Sequence, residues 1–243
     1  MACYFEGRLQ CLRSYAPGGW RPSIHLVGRE HVERALAAGR GAILWVTPMA
    51  FNDLVTKMAF SAAGFRVSHL SETRHGLSSS RLGLRVLNPL WTGAEDRYLA
   101  ERLVMTPGNR GTALRQLTRR VRASGLVSIT VTAGGQRCRT VPFLNGTMSI
   151  ADGAPMLAWR TGAALLPVFT VRGTDGTFVT TVEPPLTVAT DNPREVAVQM
   201  VMVAYSRLLE WYVLRWPAQY HGWVDALGLA SLETDQGVAA NAR

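Results

Sequence analysis

The sequence predicts an α/β fold, a largely parallel central sheet flanked by helices, and three neighbouring features carry that prediction. Residues 41–47 form a short apolar run of buried-strand length, and Pro48 ends it. Behind Asn52 or Asp53, either of which can cap a helix, Leu54, Met58 and Ala62 repeat at helical spacing as far as Ala63. Gly64 then stops the helix, and residues 65–70 return as a strand. Strand, helix, strand in that order is the βαβ unit of a parallel sheet, which leaves functional residues at the C-terminal ends of its strands.

The remaining elements extend that unit. A chain of 243 residues with 47% hydrophobic and 18% charged residues can bury a sizeable core, and we expect one domain over residues 23–225. Residues 1–22 show no clear periodicity and read as a lead-in, and residues 226–243, rich in Ala, Gly and Asn, read as a frayed tail. A helix is expected over 30–38, stopped by Gly39. Residues 72–89, rich in Ser, Gly and Arg, read as a loop, and loops of that length inside a compact domain are more often functional than idle. A helix over 94–103 follows, and then an amphipathic helix over 112–123 with Leu114, Leu117 and Val121 inward and Arg115, Arg119 and Arg122 outward. Strands are expected over 126–131 and 139–143, a helix over 148–160 and a strand over 164–172. Residues 178–188, after an Asp-Gly turn signal, read as an antiparallel addition at the sheet edge. The final helix, 193–214, has proline near its first turn. Its narrow polar stripe of Glu195, Gln199, Ser206 and Glu210 favours a core helix over a membrane-surface one.

Charge and cysteine content narrow the chemistry. All but one of the 26 basic residues are arginine, Lys57 being the exception, and against 17 acids they give a net charge of +9. Guanidinium forks suit phosphates, so anionic partners are favoured: phospholipid headgroups, or the phosphates of coenzyme A or an acyl carrier protein. Nucleic acid is disfavoured because the arginines are dispersed and no recognition motif is present. Cys3, Cys11 and Cys138 give neither an even set nor a metal-ligand spacing, which points to a reducing, cytoplasmic compartment. No signal-peptide layout or membrane-spanning run is found, so any membrane contact is expected to be peripheral. The histidines His25, His31, His69, His75 and His221 form no HExxH pattern, and no metal site is expected. No GxGxxG after a strand, Walker loop or GxSxG elbow is present either.

A succession of local patterns remains. Val27-Gly28-Arg29-Glu30-His31 leads into a helix, and Gly39-Arg-Gly-Ala-Ile-Leu-Trp45 steps into an apolar strand. Further on come Val141-Pro-Phe-Leu-Asn-Gly146, Gly153-Ala-Pro-Met-Leu-Ala158, Thr161-Gly-Ala-Ala-Leu-Leu-Pro-Val-Phe169 and Trp216-Pro-Ala-Gln-Tyr-His-Gly-Trp223. Together, over residues 27–223, these resemble the lysophospholipid acyltransferase superfamily, especially its lipid A lauroyl/myristoyl branch. The resemblance implies a glycerolipid acyltransferase-like fold and transfer of an acyl group from a thioester donor, coenzyme A or a carrier protein, with no further cofactor. The family pattern places a histidine at the end of the first strand and an acid five positions later. Here those six residues are Pro48-Met-Ala-Phe-Asn-Asp53, so the acid is kept and the histidine is lost. An aspartate near Thr132-Ala133 and a terminal basic run are also absent.

Proline has no proton acceptor, whereas acyl transfer to a hydroxyl or amine needs a general base. Three readings follow. In the first, His69 or His75, in or beside the loop after the second strand and close to Glu72 and Arg74, supplies a relocated base acting with Asp53. In the second, the fold is a non-catalytic binder in which Arg74, Arg81, Arg85 and Arg110 hold an acyl or anionic ligand. In the third, the inherited pocket runs a changed reaction by positioning and electrostatics alone. Asp53 also has a plain role open to it as a helix cap. Cys138, between arginines but without a partner histidine, reads as inert.

Overall fold

The structure is a computed structural model that describes residues 2–72, 75–76, 83–106 and 108–223. Its centre is a seven-stranded sheet in the order β1-β9-β8-β2-β5-β3-β4, where β1 is Ile24–Val27, β2 Ala42–Val46, β3 Val67–Glu72, β4 Glu101–Met105, β5 Leu126–Thr130, β8 Ala164–Arg172 and β9 Phe178–Val182. Strands β8, β2, β5, β3 and β4 run parallel; β9 is antiparallel to β8 and carries β1 parallel on its outer side. Two further strands, β6 (Cys138–Phe143) and β7 (Gly146–Ala151), form a separate antiparallel hairpin.

Both faces of the sheet are covered, which explains the unbroken apolar run of β2. Ile43 and Trp45 point into the larger core, beneath α5 (Arg110–Arg122), α6 (Gly153–Thr161) and α7 (Arg194–Arg215). Phe169 stacks on Tyr212 there with ring centroids 3.7 Å apart. Ala42, Leu44 and Val46 point the other way, into the core under α2 (Arg29–Ala37) and α3 (Lys57–Ala62). Among the described residues, no helix is long and apolar enough to cross a membrane.

Five expectations need correction. Residues 2–13 form a helix, α1 (Ala2–Arg13); its Cys11 is buried beside Trp91 and Ala94, packing that its weak periodicity does not reveal. Residues 94–103 are split between the end of α4 (Asn88–Asp96) and β4, and the expected helix over 148–160 is the strand β7 followed by α6. In both places apolar residues suited either period, and the strand is fixed by its partner. The outer strand of the sheet is β1, not β9. The expected capping by Asp53 is also not found. A π-helical turn, Asn52–Thr56, precedes α3, and neither Phe51 nor Thr56, the residues at the two helix starts, makes a side-chain cap bond. The expected tail over 226–243 lies outside the described residues.

Candidate active site

At the C-terminal end of β2 the chain turns at Pro48 and is held by the closing segment of the protein. The His221 amide donates to the Pro48 carbonyl (2.9 Å), the Ala50 amide donates to the Gln219 carbonyl (2.7 Å), and Met49 bridges to Tyr220. The Trp216–Trp223 motif therefore folds back onto the strand end where the family pattern places its histidine. Helix α1 crosses the same region so closely that a Cβ on Gly7 would stand 2.2 Å from the Ala50 carbonyl oxygen. Beneath these elements lies a cavity of roughly 210 Å³. Its polar lining is Gln10, Asn52, Asp53, His75 and His221, with Trp91 among its apolar walls.

Asp53 and His75 come together there with a third residue that the sequence reading missed. Glu95 of α4 is fully buried, and its Oε1 lies 3.0 Å from His75 Nε2. Donor atoms of Asp53, His75 and Glu95 all lie within 4.8 Å of one another. The second Glu95 oxygen, Oε2, accepts from Arg102 Nη2 of β4 at 2.6 Å and pairs with Lys57 Nζ at 3.1 Å. Lys57 also donates to the Asp53 backbone carbonyl (2.5 Å), and Arg102 reaches Ser71 Oγ (3.1 Å) and Asp96 (2.6 Å). Three donor groups at this spacing would admit a cation, but Lys57 and Arg102 already balance the two carboxylates. An added cation would meet the charge of Lys57 and Arg102 on the Glu95 side of the cluster.

The charges move the titrations in opposite senses. Burial pulls the His75 ring down, but the Glu95 hydrogen bond and the Asp53 and Glu95 charges outweigh it, and its pKa is raised above the ordinary 6.5. Burial pushes Glu95 up, but Lys57, His75 and Arg102 outweigh that, and its carboxyl is held well below 4.5. An ionised Glu95 accepting from His75 selects the tautomer with hydrogen on Nε2, which leaves the lone pair on Nδ1.

The other candidate residues fall elsewhere. His69 lies within β3, in the stretch expected as a strand; it is buried, bonded through Nδ1 to Ser128 Oγ of β5 (2.8 Å), and borders an internal space of only about 20 Å³. Burial, aided by Lys57, lowers its pKa well below 6.5, and it does not line the site cavity. Arg85 is exposed on a π-helical turn, Gly83–Leu87, and Arg110 opens α5 after β4; neither lines the cavity. Arg74 and Arg81 lie outside the described residues. Sequence did hold a signal for Glu95 and Lys57. A glutamate inside a helix that buries Trp91 and Ala94, and the single lysine of an arginine-rich chain, are both unusual placements.

A largely parallel sheet with an acid–imidazole cluster beside a cavity at its strand ends is an arrangement common to α/β enzymes. The family comparison agrees with this. Residues 17–225 match the bacterial lipid A biosynthesis acyltransferase family, and the chain belongs to that family. No curated protein matches the chain significantly.

Proposed function

We infer that the protein moves an acyl group from a coenzyme A or carrier-protein thioester to a small-molecule or lipid acceptor, with His75 as general base in place of the residue lost at position 48. The observation that carries this reading is the 3.0 Å contact of His75 with a fully buried Glu95, beside Asp53 and on a cavity at the strand ends. The neutral imidazole takes the proton of the acceptor hydroxyl or amine as that atom bonds to the thioester carbonyl carbon. When the C–S bond breaks, the departing thiolate takes the proton back from the imidazolium. Glu95 holds the ring in one tautomer and stabilises its charged form, the part a buried carboxylate plays behind a catalytic histidine. Asp53 adds a second negative charge within 4.8 Å. A role in secondary metabolism and a cytoplasmic, membrane-peripheral setting complete the reading, and an excess of arginine suits contact with anionic headgroups.

The test is release of free thiol from a panel of acyl thioesters offered with hydroxyl and amine acceptors. His75→Ala is expected to lower turnover by about 10²–10⁴-fold, the usual share of a general base. His69→Ala is expected to affect stability more than turnover. Equal turnover in wild type and His75→Ala ends the reading, and tight acyl binding without turnover in the wild type favours the binding-protein alternative.

A further inference from the structure

The cluster contains a residue that a simple imidazole–carboxylate pair does not need. Two carboxylates within 4.8 Å of a histidine ring bind its proton tightly, and an imidazolium cannot act as a base. Something must weaken that hold for the site to work near neutral pH.

We propose that Lys57 is a positioning residue that tunes the proton affinity of the His75–Glu95 pair, its ammonium offsetting part of the pull that the two carboxylates exert on the ring's proton. This rests on the reading of His75 as the base. Geometry carries the argument. The Lys57 side chain is 8% exposed, and its Nζ is fixed between the Asp53 carbonyl (2.5 Å) and Glu95 Oε2 (3.1 Å), tying the two acid-bearing elements together. Of 26 basic side chains it alone is lysine, and the position suits a compact ammonium, whereas the planar guanidinium of Arg102 approaches the same oxygen from β4.

Charged and titratable groups approach the imidazole from every side. Asp53 comes from the π-helical turn, Lys57 from α3 and Glu95 from α4, while His221 lines the same cavity from the closing segment. Arg102 of β4 is engaged by Glu95, Asp96 and Ser71, and buried His69 is held neutral. Cys11 of α1 has its thiol pushed up to about 12 by burial, so it is uncharged at working pH. Lys57, buried behind the cavity wall and fixed on Glu95, is thus the cation that opposes the two acids at His75, lowering the ring's proton affinity where they raise it.

The experiment follows the His75 ring by NMR titration in the unliganded full-length protein, alongside the pH profile of kcat/KM for thiol release. In Lys57→Met and Lys57→Gln the ring is expected to titrate about one unit or more higher, and the acid limb of the profile to move up by the same amount. Turnover then falls by a few-fold up to about tenfold at pH 7 and recovers on the alkaline plateau. Lys57→Arg, which restores the charge, is expected to bring the limb most of the way back. If the single neutral variants do not fold, Lys57→Met is placed on Glu95→Gln, and the His75 ring of the double variant is expected to titrate above that of Glu95→Gln alone, because the cation that lowers the ring is gone. A uniform loss of turnover at all pH with an unmoved ring titration, or a ring that titrates alike in Glu95→Gln and in the double variant, overturns the proposal. The ring titration needs no substrate, so it judges Lys57 even where thiol release fails and the acyltransferase reading falls with it.

Discussion

Glu95→Gln removes one charge from the centre of the cluster while keeping the side chain's volume. The wild-type carboxylate is fully buried and faces Lys57 at 3.1 Å, Arg102 at 2.6 Å and His75 at 3.0 Å. At an effective dielectric constant of about 20, unit charges about 3 Å apart attract by roughly 5 kcal/mol, so two cations give about 10 kcal/mol of gross attraction. Desolvating the carboxylate and its partners offsets several kcal/mol of that. Removing the anion alone leaves two poorly solvated cations facing each other, and the net cost of breaking a buried pair this way is about 3–5 kcal/mol. That is a large part of the 5–15 kcal/mol of a typical domain, yet small enough for the variant to fold. Urea unfolding at pH 7 is the assay: the midpoint should fall while the dependence on denaturant stays constant. Thiol release should fall with it, because His75 loses the group that orients its ring. A midpoint change worth less than about 1 kcal/mol would mean that Lys57 and Arg102 are solvated rather than paired, and the electrostatic account of the site would fail.

Other outcomes follow from the same geometry. His75 titrates higher folded than free, so its stabilisation is complete below pH 6.5 and is lost as pH rises through the folded value; the urea midpoint should decline on that side in wild type and flatten in His75→Gln. Glu95 is held low, so its contribution is present above pH 4.5 and is lost as pH falls through its folded value, a loss that Glu95→Gln should not show. Gly7→Val should lift α1, because its Cβ would stand 2.2 Å from the Ala50 carbonyl; mass-spectrometric mapping of thiol labelling should then find Cys11, which is shielded in the wild type, labelled alongside exposed Cys138. Phe169→Ala should cost about 3–5 kcal/mol in urea unfolding, since the ring is fully buried and stacked on Tyr212.

The parallel core was readable because each of its signals is local. An apolar run between Gly41 and Pro48, a glycine stop at Gly64 and an apolar repeat over Leu54, Met58 and Ala62 fix strand, helix and strand without help from distant residues. Where the reading failed, a distant partner decided. Residues 101–105 are a strand because β3 offers them a parallel edge, and 146–151 because β6 pairs with them across a tight turn. In isolation both stretches suit a helix as well. Strand β1 is four residues long with alternating exposure, and it exists because β9 extends the sheet beyond β8.

The site divides in the same way. Asp53 and His75 were legible because each follows a recognisable strand, and the ends of neighbouring parallel strands meet. His69 falls in the expected strand, and what the sequence did not show is that its side chain is buried there against Ser128 of β5, while β3 runs on to Glu72 and leaves His75 beyond its end. Glu95, Lys57 and Arg102 come from two helices and an outer strand, and only the tertiary fold brings their charges to one point. That assembly also bears on the loss at Pro48. A histidine at the strand end would work with an acid five residues on, whereas an imidazole arriving from after β3 stands between two acids and has to be balanced by a cation. Lys57, one helical turn beyond Asp53, lies where that balance is needed. On the proposed reading the base after β3 and the buried lysine act together, and Lys57→Met should therefore harm His75 as a base before it harms the fold.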